Sequence, residues 1–185
     1  QGNMEQLLQD MAKGQLDFAL GPSINGSKDA RHCWTEEAVW LRGRGTALDP
    51  DAPVPLVGFR EDWICHRLAV NALSRAGRAS DLVFTAPTIS SLAAAVGAGM
   101  GTMVLSRCRV RLPDMVIWED PPLPKLPDLN WGVYVRESAE HGPLNEIADA
   151  TAAMVISRVT AAASPKTAQP AKPIKTIGPR KREAS

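Results

Sequence analysis

The segment from Thr85 to Leu105 reads TAPTISSLAAAVGAGMGTMVL and joins the end of one strand, a helix and a second strand. Thr88 is a typical N-cap residue, and the apolar residues after it have helical spacing. The glycines Gly97, Gly99 and Gly101 come at the end of this helix. A dinucleotide site needs its glycines before the helix, where free backbone N–H groups meet the pyrophosphate. We therefore predict that these glycines end the helix and pack closely against the next strand.

Strand and helix patterns alternate along the rest of the chain. An amphipathic helix is predicted at 4–13, followed by a short strand at 15–20 that runs into a turn at Gly21-Pro22. A buried strand at 56–59 precedes a helix at 62–77, whose predicted inner face consists of Cys65, Leu68, Ala69, Ala72, Leu73 and Ala76. This alternation, with short loops, indicates an α/β fold with parallel strands. A last helix is predicted from Pro143 to about Ala162, with Leu144, Ile147, Ala148 and Val155 directed inward.

The composition is that of an ordinary globular protein, with 44% hydrophobic and 22% charged residues. No apolar run approaches the roughly 18 residues of a transmembrane helix, so we expect no membrane association. The cysteines Cys33, Cys65 and Cys108 show no CxxC spacing, and the histidines are not spaced as metal ligands. We predict no metal and no cofactor. Because the sequence shows no export leader, the expected compartment is the reducing cytoplasm.

The segment 164–185 differs from the rest of the chain in composition. It contains six Lys and Arg against one Glu, a net charge of +5. Because the whole chain has a net charge of +1, residues 1–163 carry a net charge of −4. It has four prolines and almost no large apolar residue, and therefore cannot offset the entropy of becoming ordered. We predict a disordered, basic, Pro-rich tail. Such a tail either touches DNA or acidic partners or acts as a solubilising end without a specific partner.

Five stretches of the sequence, in this order, resemble the effector-binding (substrate-binding) domain of LysR-type transcriptional regulators. They cover roughly residues 1–160. The most specific feature is the hydroxyl-capped helix followed by V-x-A-G-x-G and an apolar strand, and GQLDFAL is equally typical. The stretches are MEQLLQDMAKGQLDFALGP (4–22), EEAVWLRG (36–43), VPLVGF (54–59), TISSLAAAVGAGMGTMVLSRCRV (88–110) and LNWGVYVRES (129–138).

The resemblance implies two Rossmann-like α/β subdomains of the periplasmic-binding-protein type II kind, joined by two crossing strands. Subdomain I would comprise residues 1–42 and 120–163, and subdomain II residues 53–119. A small anionic effector would bind in the cleft between them. The sequence starts with Gln1, just before the expected second helix of subdomain I. We therefore interpret it as a fragment in which subdomain I is incomplete.

The resemblance also implies partners. In the family, a DNA-binding winged helix-turn-helix and a linker helix precede this domain, and neither is found in this sequence. We therefore expect DNA binding only through that missing part, and a homodimer or homotetramer in the intact protein. The expected mechanism is a ligand-shifted equilibrium between subdomain orientations that rearranges the oligomer on DNA.

Two helix starts are candidate effector contacts. Thr88 matches a polar cleft position of the family, with Ser90 and Ser91 nearby. Hydroxyl groups and free N–H groups at a helix start suit a carboxylate or a phosphate, although many such hydroxyls only cap the helix. The family also uses a Ser or Thr at the start of the first helix, where this sequence has Met4, with Asn3 as the available cap.

The loop after VPLVGF is the other candidate region, because it faces the cleft in relatives. It contributes Phe59, Arg60 and Trp63. Arg60 would pair with an anionic effector, or it is an ordinary solvated or salt-bridged arginine.

Cys65 is a candidate for redox sensing. REDWICHR resembles the segment that carries the reactive cysteine of peroxide-sensing members of the family. A sensor of that kind needs a second cysteine a few turns later, but Ser74 stands nine positions after Cys65. A thiol on the apolar face of a helix is usually inert packing.

Two further classes of protein remain as alternatives. A solute-binding protein of a transport system has the same architecture and closes on its ligand by hinge motion, but it requires an export leader. An enzyme would use Cys65 as nucleophile and His66 as base, yet adjacent helical residues point about 100° apart. We therefore expect effector binding by a transcription regulator and no catalysis.

Overall fold

The computed structural model describes residues 4–23, 29–111, 115–136 and 142–163 of the 185-residue chain. Asn3 and the predicted tail at 164–185 lie outside these described residues. The described ranges contain a 3₁₀ turn at Arg107–Arg109 and four α-helices, α1 (Met4–Ala12), α2 (Ile64–Arg75), α3 (Ile89–Gly97) and α4 (Pro143–Ala163). Their strands are β1 (Phe18–Ser23), β2 (His32–Glu36), β3 (Ala38–Arg42), β4 (Val54–Gly58), β5 (Ser80–Thr85), β6 (Met103–Ser106), β7 (Val116–Ile117) and β8 (Leu129–Val135).

The first sheet has the strand order β1-β8-β2, and β8 is antiparallel to both neighbours. β1 and β2 are therefore parallel, and their carboxyl ends, Ser23 and Glu36, pair with the start of β8. β1 continues through Gly21 and Pro22, so the turn predicted at these residues is wrong. Proline is tolerated here because β1 is an edge strand of the described sheet, where a missing N–H need not cost a ladder hydrogen bond.

The second set of strands has both parallel and antiparallel pairs. β3 is antiparallel to β6 and β7, and β4 is parallel to β5. Thr102 connects these groups, because its N–H donates to the carbonyl of Pro55 (2.9 Å) and its carbonyl accepts from the N–H of Val57 (2.8 Å). The resulting order is β5-β4-β6-β3-β7. The predicted parallel arrangement is right for β4, β5 and the chain entering β6, whereas β3 and β8 run against their neighbours.

The α3 segment forms as its sequence predicts. The Thr88 hydroxyl caps the helix by accepting a hydrogen bond from the N–H of Ser91 (3.2 Å). Gly99 has a φ of +81°, the left-handed conformation that ends a helix. A Cβ atom at Gly101 would lie 2.6 Å from the carbonyl oxygen of Pro55, so the strand packs too closely there for any side chain. The cap, the stop and the close packing are all confirmed.

The helices cover the sheets with different residues. α4 approaches β8 through small side chains, since Ala148 and Ala152 are buried against Val133. This close approach leaves Ile147 52% exposed, and its predicted inward position is wrong. No helix in the described part of the chain has the length and apolar character needed to cross a membrane. The buried residues of α2 are Cys65, Leu68, Ala69, Ala72 and Leu73.

Within the described ranges, the chain passes between the two sets of strands twice. The first passage is at Glu37, between β2 and β3, and the second is the segment 118–128, between β7 and β8. The predicted boundary at residue 42 would assign β3 to subdomain I, whereas β3 is hydrogen-bonded to β6 and β7. No Gly or Pro interrupts the sequence between His32 and Arg42. The sequence therefore contains no residue that would indicate a change from one set of strands to the other at Glu37.

Candidate functional site

The carboxyl ends of β4, β5 and β6 lie along one edge of the second set of strands. Gly58 at the end of β4 pairs with Thr85 at the end of β5, and its carbonyl accepts from the N–H of Ala86 (3.4 Å). The loops 59–63 and 86–88 therefore leave the same edge, as does the turn at 107–109 that follows β6. We call this edge, formed by the three segments, the cleft edge. Ligands of open α/β sheets bind beyond the carboxyl ends of the strands.

Three predicted hydroxyl residues lie at the cleft edge and are exposed: Thr88, Ser90 and Ser91. The hydroxyl groups of Thr88 and Ser91 are 2.9 Å apart, and Thr88 also caps α3. The helix start therefore carries a small cluster of hydroxyl groups facing water. The positive end of the helix dipole favours an anion at this position.

The loop residues Phe59 and Trp63 contact each other, with ring centroids 4.2 Å apart. Both pack against the same buried cluster as Ile89 of α3, so the structure brings this loop and the α3 start together. Arg60 is 75% exposed and forms an ion pair with Asp62, its Nε donating to Oδ1 at 2.8 Å. This hydrogen bond lowers the pKa of Asp62 below its usual value. An anionic ligand at Arg60 would have to compete with Asp62.

Met4 is the least accessible of the predicted ligand contacts that the structure describes. It is only 9% exposed and packs with Met11, Ala19 and Tyr134. Its sulfur would be 2.8 Å from a Cβ atom at Gly21, so it fills the space that this glycine leaves. This burial leaves little of Met4 for contact with a ligand, and Asn3 lies outside the described residues.

A buried polar cluster that the sequence did not predict lies between the two sets of strands. Glu36, at the end of β2, is only 1% exposed. Its carboxylate accepts from Trp34 Nε1 (3.0 Å) and from Arg109 Nε (3.2 Å) and Nη2 (3.3 Å). The Arg109 guanidinium also lies 4.1 Å from the ring centroid of Trp131, which stacks on Trp34. A residue that follows β6 thus contacts two strands of the first sheet.

Hydrogen bonds stabilise the ionised form of the Glu36 carboxyl. Burial alone would raise the pKa of this carboxyl, but hydrogen bonds from Ser106, Trp34 and Arg109 outweigh burial and keep the pKa below its usual value. The sequence contained one usable signal. Alternation along β2 puts Glu36 on the same face as Trp34, while Cys33 and Thr35 are exposed on the other.

Arg107 links both passages between the sets of strands. Its Nε and Nη2 donate to Glu37 at 2.6 and 3.1 Å, and its Nη1 and Nη2 donate to Glu119, both at 3.2 Å. Glu37 lies in the first passage and Glu119 in the second. These hydrogen bonds raise the pKa of Arg107, which stays charged in any case. One side chain of the second set therefore holds both connecting segments.

The two candidate residues for thiol chemistry are in an unfavourable environment. Burial raises the pKa of the Cys65 thiol to about 12 and lowers the pKa of the His66 imidazole. Cys65 is therefore protonated near neutral pH. Because the thiolate is the reactive form, this thiol is expected to react poorly. A cavity beside Cys65, Phe59 and Trp63 has a volume of only about 10 Å³, roughly enough for one water molecule. These observations favour a packing role for Cys65.

No metal site is apparent in the part of the chain that the structure describes. Nowhere in the described ranges do three His, Cys, Asp or Glu side chains converge in a way that could hold an ion. The cleft edge itself offers groups for recognition, namely hydroxyl groups at a helix start, aromatic rings and arginines.

Comparisons with known proteins give a consistent result. Two curated relatives are the HTH-type transcriptional regulators PecT of Dickeya dadantii (strain 3937), 29% identical over 141 residues, and DgdR of Burkholderia cepacia, 27% identical over 126 residues. These alignments cover 76% and 68% of this chain but only 43% of each relative. The chain thus spans less than half the length of these relatives.

A solved structure supports the same fold. The regulatory domain of CcmR from Synechocystis PCC6803, in complex with 2-PG, is 14% identical, with a TM-score of 0.59 over 82% of this chain and 79% of that one. The family model described as the LysR substrate binding domain matches residues 1–150. The predicted α/β fold of the periplasmic-binding-protein type II kind is confirmed, and the chain belongs to the LysR substrate-binding domain family.

Proposed function

We propose that this chain is the effector-sensing part of a LysR-type transcription regulator and binds a small organic anion at the cleft edge. Both curated relatives are transcriptional regulators, which supports regulation over catalysis. The structurally similar domain of CcmR was solved with 2-PG, which supports a small ligand. A role in the cytoplasm, a homodimer or homotetramer, and DNA contact through another part of the protein belong to this proposal.

The observation that carries the proposal is the meeting of strand ends. The end of β2 lies against the turn that follows β6, because Arg109 donates to Glu36. β1 ends at the same edge of its sheet as β2, and β4 and β5 end at the cleft edge. We assign the described residues of 4–36 and 129–163 to one subdomain and those of 38–117 to the other, with the passages at Glu37 and 118–128 between them. A ligand at this boundary touches both subdomains and so favours one relative orientation.

The anionic character of the ligand rests on the start of α3. Thr88 and Ser91 present hydroxyl groups at the start of the helix, and the helix dipole adds a positive potential there. Arg60 lies on the neighbouring loop of the same edge. Its partner Asp62 is 47% exposed, so a ligand carboxylate or phosphate can displace it at modest cost.

The test is a thermal-shift screen of small carboxylates and phosphates, 2-PG among them. A ligand at a hundred times its Kd adds about 2.7 kcal/mol, which raises the melting temperature of a protein of this size by roughly 5 to 10 °C. We expect the shift to decrease in Thr88→Ala and to persist in Thr88→Ser, which keeps the hydroxyl group.

Ser74→Ala is the matched control, because Ser74 is an exposed hydroxyl residue on α2. Thr88→Ala also removes the cap of α3, at a cost of about 1 kcal/mol, so each variant is compared with its own ligand-free melting temperature. An equal ligand-induced shift in Thr88→Ala and Ser74→Ala would remove Thr88 from the site. A panel without any stabilising anion would contradict the proposal itself.

A further inference from the structure

A second groove lies away from the cleft edge, between α2 and the segment 124–130. Its volume is about 430 Å³, within the range of small-molecule sites. One wall is the carboxyl-terminal half of α2, and the other is the second passage with the start of β8. None of the residues that line this groove belongs to the cleft edge, so an occupant would bind without contact to Thr88 or Phe59.

The floor and the rim of the groove differ in chemistry. The floor consists of Leu68, Ala72 and Leu129, which belong to one buried apolar cluster. The rim carries the cations Arg75 and Lys125 on opposite walls. Neither cation has an ion-pair partner among the described residues. An apolar floor below two unpaired cations suits an organic anion with a hydrocarbon body.

Other polar groups of the rim are compatible with such a ligand. Asp128 also lines the groove, which leaves the three charged side chains with a net charge of +1. Asn71 and Asn130 add amide groups that can donate to a carboxylate. A cationic ligand would meet two positive charges, and a small inorganic anion would leave the floor in contact with water.

The walls of the groove are fixed by contacts outside it. Trp40 Nε1 donates to the carbonyl of Pro124 at 2.8 Å, and Arg78 Nη1 donates to that of Pro122 at 3.2 Å. Leu126 is buried against the same apolar cluster. The second passage is therefore held to α2 without a ligand, so the groove is preformed and binding requires little reordering.

We propose that this groove is a second binding site, specific for a small amphipathic carboxylate. Because one wall leads directly into β8 of the first sheet, an occupant would also hold the second passage against α2. The proposal concerns different residues from those at the cleft edge and does not depend on ligand binding there.

The probes are hexanoate, hexanol and hexylamine, which share one hydrocarbon chain and differ in charge. They are titrated into the ¹⁵N-labelled chain, and amide chemical shifts locate the site. We expect hexanoate to shift amides of 68–76 and 125–130 and to bind about threefold to tenfold more tightly than hexanol, with hexylamine the weakest. Arg75→Gln and Lys125→Gln should each weaken hexanoate binding by about threefold or more.

Arg67→Gln is the control, because Arg67 is an exposed arginine of α2 that does not line the groove. It should bind hexanoate as the unmodified chain does. Equal binding of hexanol and hexanoate, or equal losses in Arg67→Gln and Arg75→Gln, would overturn the proposal. So would shifts confined to 58–63 and 86–91, or no shift at about 10 mM hexanoate, where a site with a Kd near 1 mM is mostly filled.

Discussion

Replacing Glu36 by alanine is expected to lower the free energy of unfolding by about 2 to 3 kcal/mol. The change removes the acceptor of Trp34 Nε1 and the counter-charge of Arg109. Removing one partner of a fully buried ion pair costs about 3 to 5 kcal/mol. Arg109 is 45% exposed, however, and can turn towards water, which reduces the expected loss of stability to about 2 to 3 kcal/mol.

The assay is urea denaturation, with Glu37→Ala as the matched control. Glu37 is the same residue type at the next position, but its side chain is 55% exposed and its ion pair with Arg107 faces water. We expect Glu37→Ala to cost only about 0.2 to 1 kcal/mol. If the two variants lose equal stability, the buried cluster does not hold the two sets of strands together as we infer.

The pH dependence of the free energy of unfolding provides a second test of Glu36. The folded-state pKa of Glu36 lies below its usual value of 4.5, so the carboxylate contributes stability above the unfolded-state pKa. This contribution is lost as the pH falls through the folded-state pKa. The difference in stability between the unmodified chain and Glu36→Gln should therefore be full at about pH 7 and shrink below about pH 4. A difference independent of pH would contradict the assignment of a charged Glu36.

Three other predictions test separate features. Arg107→Ala should cost only about 1 kcal/mol, because both partners are largely exposed, yet it should speed amide hydrogen exchange at residues 36–38 and 118–120, which Arg44→Ala should leave unchanged. Exposed Cys33 should react with iodoacetamide in the folded chain near pH 8, whereas buried Cys65 should react only on unfolding, and equal rates would revive redox sensing at Cys65. Gly101→Ala should cost about 1 to 3 kcal/mol in urea denaturation because its Cβ would meet the Pro55 carbonyl, while Gly45→Ala, in open space, should cost far less.

Local signals in the sequence predicted the local structure well. The α3 segment carries its own cap, apolar stripe and terminal glycine, so its fold depends little on distant residues. The inward face of α2 was predicted for the same reason, except for Ala76, which lies beyond the last turn and is exposed.

Features that depend on distant partners were not predicted. Alternation along β2 places Glu36 on the face of Trp34, but its charge can be buried there only because Arg109, 73 positions later, reaches it. The position of Ile147 depends on how closely the alanines of α4 approach β8. The structure decides between the two interpretations of Arg60 only in part. It pairs Arg60 with Asp62, and the contact of Arg60 with an effector stays a prediction.

The most direct test of ligand binding between the two sets of strands is hydrogen exchange with and without a panel compound that raises the melting temperature. We expect the compound to slow amide exchange at 58–63 and 86–91 and, in the same experiment, near the end of β2 at 34–37. Protection on both sides follows if the ligand bridges the strand ends. Protection confined to one set of strands, or found only along α2 and 124–130, would contradict binding at the cleft edge.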